Sequence, residues 1–192
     1  MNRIFNSEQS GRSMVEMLGV LAIIGVLSVG GISGYSKAMA KFKLTKAQDQ
    51  LTMLLMNIRT AYATSPSYAG ITSSNAIAYN LAPSDMISGT SLHNAFGGSV
   101  EVAAGGPSNT HFAIVFNGLG KDTCASLASS DWGSDGLVGI SIAASSVDSP
   151  SFTPAHDGST DAAGKALPVS LTQAYTECGG ATATNSITWV YY

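Results

Sequence analysis

The chain has 192 residues, 45% hydrophobic and only 11% charged, which suits one domain plus an extension rather than two full domains. Its net charge of −3 hides a split: residues 12–63 hold six basic against two acidic side chains, and residues 64–192 hold two basic against nine acidic. This pattern argues against a nucleic-acid surface, because the basic cluster stops at Arg59 and no aromatic residues interleave it as a stacking platform. The two halves suit attraction between neighbouring copies; alternatively the lysines solvate a helix face or meet lipid phosphates.

Residues 14–35, MVEMLGVLAIIGVLSVGGISGY, are almost continuously apolar, with Glu16 the one charge before Lys37. As a helix rising ~1.5 Å per residue they reach about 33 Å, enough to cross a bilayer. A cleaved secretory signal, a permanent anchor, or both in sequence fit this run, and its length favours the anchor. The flanking lysines, counted by the positive-inside rule, place the C-terminal side in the cytoplasm; a disulfide would place it outside.

From Lys37 onward Leu44, Ala47, Leu51, Leu54, Ile58 and Ala61 recur at spacings of three and four, widened by Leu55 and Tyr62. The pattern predicts one helix over about 13–63. Its half at 12–35 is apolar all round and is expected to protrude; its half at 36–63 is amphipathic and is expected to pack on a head. Gly30, Gly31 and Gly34 mark either a bendable joint or a close helix–helix contact.

Residues 64–97 read as a loop punctuated by Ser, Asn, Gly and Pro. SVEVAA (99–104) and HFAIVFNGL (111–119) predict a hairpin, GLVGISIAA (136–144) a further strand, and NSITWVYY (185–192) a closing strand. DTCASLASS (122–130), capped by Asp122 or Thr123, and PVSLTQAYTEC (168–178) predict short helices. Residues 145–165 read as an exposed polar loop. The expected class is α+β, a small antiparallel sheet lying on the amphipathic half of a long helix.

Cys124 and Cys178 suggest one disulfide in an oxidising compartment, with two buried free thiols as the alternative. His93, His111 and His156 are scattered, and none stands at metal-ligand spacing from a cysteine or carboxylate. Asp131 and Asp135 lack the spaced series of an EF-hand loop and read as an exposed turn. No nucleophile elbow, phosphate loop or zinc helix motif is present, so neither enzyme nor cofactor is expected.

Gly11, then Arg-Ser-Met-Val, then Glu16 and the apolar run, resembles the N-terminus of type IV prepilins. The resemblance implies a pilin fold and a leader at residues 1–11 removed by a prepilin peptidase on the cytoplasmic side. It places Glu16 at the fifth mature position, which the family almost always fills with glutamate. In a filament core such a carboxylate needs a partner, and the new amino terminus of a neighbouring subunit is the expected one; snorkelling to the membrane interface is the alternative. Arg12 would be the first mature residue, a position the family usually fills with an apolar, methylated residue. The wide Cys124–Cys178 loop, with APSDMI and NAFGGSVEV, is similar to the type IVb branch and its conjugative thin pili. The head at 64–192 would then lie outside, against the naive charge count.

The resemblance further implies a structural subunit. Such a subunit waits in the bacterial inner membrane, is transferred by assembly machinery, and polymerises with itself into an extracellular helical filament. A minor pilin or pseudopilin is the near alternative, and a membrane-anchored binding domain that never polymerises is the alternative from another class.

Overall fold

The computed structural model describes residues 9–159, 165–180 and 184–192. Most of the expected leader therefore lies outside the described residues, as do residues 160–164 of the expected polar loop. The chain divides into two compact units, Met1–Phe42 and Lys43–Tyr192.

Helix α1 runs from Gln9 to Tyr62, starting several residues before the expected boundary. Within the first unit it is helical without a break through Gly30, Gly31 and Gly34. Nothing lies within 4 Å of where a Cβ would stand on any of the three. Among the described residues this is the helix long and apolar enough to cross a membrane.

In the second unit, α1 presents Ala47, Leu51, Leu54 and Ile58 fully buried, with Leu44, Leu55 and Tyr62 partly buried. Ala61, expected in this stripe, is exposed instead. At the helix end the buried face is continued four residues on from Ile58 by Tyr62, whose ring meets Tyr68 at 5.5 Å.

Residues 64–97 are more ordered than a loop. They form helix α2 (Ser73–Ala78), a 3-10 turn (Ser84–Met86), and strands β1 (Ile87–Ser88) and β2 (Ser91–His93). Thr72 caps α2 by accepting from the Asn75 amide at 3.2 Å. Strands β3 (Ser99–Gly105), β4 (His111–Leu119), β5 (Leu137–Ala143) and β6 (Asn185–Tyr191) complete a six-stranded antiparallel sheet. Its order is β1-β2-β3-β4-β6-β5, so the C-terminal strand lies inside the sheet between β4 and the edge strand β5, and every residue of β6 is buried. Phe112, Ile114, Phe116, Ile187, Trp189 and Tyr191 alternate along β4 and β6 and join the α1 stripe in one core.

The segment at 145–158 is not a free polar loop. It is a strap over three strands. Asn117 in β4 holds both the amide and the carbonyl of Val147, at 2.8 and 3.0 Å. Gly105 in β3 has no room for a side chain because the Phe152 ring lies against it. His156 then pairs with Ile140 of the edge strand β5, with N···O distances of 2.8 and 2.9 Å. An edge strand left open invites pairing with another chain, and this backbone pair occupies the middle of that edge.

Candidate functional site

The apolar half of α1 is the first feature to account for. Its large side chains from Met14 to Tyr35 are all exposed, from 52% at Ile24 to 76% at Val26. A contiguous surface of this kind calls for a non-aqueous partner such as lipid or other helices. Gly11 and Arg12 fall in the first turn of α1, and Glu16 stands exposed on the next, without an ion partner among the described residues.

The second feature is the lobe at the β5 side of the sheet. Helix α3 (Lys121–Ala128) and helix α4 (Leu171–Glu177) are joined by a Cys124–Cys178 disulfide with a Cα–Cα distance of 6.0 Å. This favours the disulfide over free thiols. The N-cap of α3 is Gly120 rather than Asp122 or Thr123, and it supplies no side-chain hydrogen bond. Asp122 is turned instead to accept from the Tyr175 hydroxyl of α4, while the Lys121 ammonium stands 5.4 Å from the Tyr175 ring centre. Asp122 raises the Tyr175 pKa, first by that hydrogen bond and then by its charge. Helix α4 is capped by Ser170, which accepts from the Gln173 amide at 3.3 Å.

His156 is 1% exposed and its Nε2 lies 2.7 Å from Glu177 Oε2, while Gln173 donates to the other carboxylate oxygen at 3.1 Å. These residues lie 21 apart in the chain, so no local spacing could have exposed the pair. The contact ties the strap to the helix that carries Cys178.

Beside it lies a cleft of about 520 Å³ lined by Trp132, Leu137, Ile140 and Leu167 together with the acidic Asp131 and Asp157. The Trp132 indole N–H donates to the Leu127 carbonyl at 2.8 Å and the ring meets Trp189 edge-on at 5.3 Å, so its position is set from two sides. Asp131 accepts from the Gly133 amide at 2.9 Å, closing the turn expected there. Asp157 stands 3.6 Å from the Lys165 ammonium. The Ser159 hydroxyl and amide, aided by Lys165, hold its pKa below the usual carboxylate value. Among the described residues, no three His, Cys, Asp or Glu side chains gather closely enough to hold a metal ion.

Comparison with known proteins gives these features a family. Residues 42–192 match the family model described as PilS N terminal. Two Escherichia coli proteins, from O111:H- and from O127:H6, are each described as "Major structural subunit of bundle-forming pilus". Each is 26% identical over 196 residues, covering 98% of this chain and 97% of the relative. Among solved structures, TcpA, a type IV pilin from Vibrio cholerae El Tor biotype, superposes with a TM-score of 0.54 at 18% identity. The alignment covers 78% of this chain and 99% of that one. A type IVb pilin from Salmonella typhi superposes with a TM-score of 0.51 at 23% identity, covering 78% and 97%. With its long helix and antiparallel sheet in the fold of the type IV pilins it superposes on, the chain thus belongs to the PilS N-terminal family.

Proposed function

We propose that this protein is the structural subunit of a type IV pilus. The leader is removed after Gly11 by a prepilin peptidase, and residues 14–35 hold the mature chain in the inner membrane. Assembly machinery then transfers it into a helical surface filament. The observation that carries this reading is the uncovered apolar surface of α1 from Met14 to Tyr35. In the membrane, lipid covers it. In the filament, stems of neighbouring copies do, at roughly 0.8 kcal/mol for each methylene kept from water. Transfer therefore exchanges one apolar surrounding for another.

Glu16 fits both stages. A carboxylate at the bilayer centre costs about 2.5–3.5 kcal/mol or more, and less near an interface. In a filament core it needs a cation, and the amino terminus created by cutting after Gly11 supplies one on a neighbouring copy. The glycines at 30, 31 and 34 lower helix stability by roughly 1 kcal/mol each relative to alanine, which lets the stem yield during transfer.

Mass spectrometry of filaments sheared from cells tests the reading. It should find this chain as the principal component, beginning at Arg12, with the disulfide intact. A Gly11→Asp chain should stay full length and yield no filaments; normal cutting and assembly of that variant would overturn the proposal.

A further inference from the structure

The cleft beside Trp132 has walls of two kinds. Trp132, Leu137, Ile140 and Leu167 are apolar, while Asp131 and Asp157 are acidic. Asp157 is balanced by Lys165. Asp131 uses Oδ1 for the Gly133 amide and meets no cation among the described residues. The neighbouring Arg59 guanidinium is engaged with the carbonyl oxygens of Asp135 and Tyr192, at 2.9 and 3.5 Å. An occupant matched to both walls has an aliphatic stem and a cationic head, which describes a lysine side chain.

The chain carries such side chains in excess on α1. Lys37, Lys41 and Lys43 are exposed and make no ion pair among the described residues, whereas Lys46 is engaged with Asp85 at 3.1 Å. Lys37 and Lys41 are four residues apart and share one helix face. The surplus base at 12–63 and the surplus acid at 64–192 are complementary between copies.

We propose that the Trp132 cleft is a docking site for α1 of a second copy of this chain, with Lys41 or Lys37 inserted. The lysine stem packs on Leu137 and Leu167, and the ammonium meets Asp131 within reach of the Trp132 ring. Cleft and lysines are different surfaces, so the contact is heterologous, the kind that repeats from copy to copy in an open helical filament. This inference rests on the pilus-subunit reading and names a contact within it.

Charge exchange tests it in the full chain expressed in a filament-forming host. Asp131→Lys alone and Lys37→Glu with Lys41→Glu should each lower the yield of sheared filaments by at least about tenfold, because each sets like charges together. Combining the three substitutions should recover most of the yield. On wild-type filaments assembled from a mixture of isotopically light and heavy chains, a zero-length carbodiimide should give light–heavy amide links between Asp131 and Lys37 or Lys41. This measurement needs no variant and so does not depend on Asp131→Lys folding. Wild-type filaments without those links, or reversed variants that assemble normally, would overturn the docking while leaving the subunit reading intact. A wild-type chain that forms no filament would overturn the subunit reading itself.

Discussion

His156 and Glu177 meet at 2.7 Å, with the imidazole 1% exposed and the carboxyl part-buried. The pair fastens the strap, and with it the backbone pairing of His156 to Ile140, to the helix ending at the disulfide. His156→Ala should therefore cost about 1–3 kcal/mol and expose the β5 edge. Hydrogen exchange reads this locally, since the Ile140 amide should lose protection while the Ile114 amide in central β4 keeps it. Equal protection of Ile140 in both proteins would show that the strap holds without the pair.

The Cys124–Cys178 bridge spans 54 residues of sequence, which in the chain-entropy model is worth about 4 kcal/mol. Replacing both cysteines by serine should lower stability by about 2–4 kcal/mol. In urea denaturation the midpoint should fall, and wild type under reductant should match the double variant.

Leu54 is fully buried between α1 and the sheet, whereas Met53, one residue before it, is 58% exposed. Leu54→Ala should destabilise by about 2–5 kcal/mol. Met53→Ala should stay within about 0.5 kcal/mol of wild type. Denaturant unfolding of the two variants side by side checks whether the helix sits in this register; similar losses would not be compatible with it.

Tyr191 lies in the core with its hydroxyl unpartnered among the described residues, and burial pushes its pKa up to about 12, with the Arg59 charge pulling the other way. The unfolded value is near 10. A raised folded pKa means that this contribution to stability is complete below pH 10 and is lost as pH rises from 10 through about 12. Ultraviolet titration should show a last tyrosine step near pH 12, beyond the raised Tyr62 and Tyr175, and Tyr191→Phe should remove that step. Near pH 7 that variant should be neutral or slightly more stable, because a buried hydroxyl without a partner is removed.

Local periodicity accounts for what could be read from the chain itself. The run at 14–35 is legible from its unbroken apolar length and the stripe from Ala47 to Ile58 from its repeat on the scale of one helical turn, so both parts of α1 could be read. Strand β4 was recovered at 111–119 because its β-branched and aromatic residues are bounded by turn residues. The order Gly11, Glu16, apolar run likewise pointed to the pilins without any knowledge of the fold.

Tertiary structure decided the rest. The strand pairing of β1 and β2 comes from β3, since two- and three-residue strands carry too little periodicity of their own. Asp122 did not cap α3 because Tyr175, distant in sequence, claimed its carboxylate. The strap, the His156–Glu177 pair and the Trp132 cleft all join residues separated by turns and strands. They depend on the C-terminal strand lying between β4 and β5, and no local pattern encodes that insertion. The sequence by itself therefore determined the stem and its need for a non-aqueous partner, whereas only the folded head decided which surfaces it offers to a neighbour.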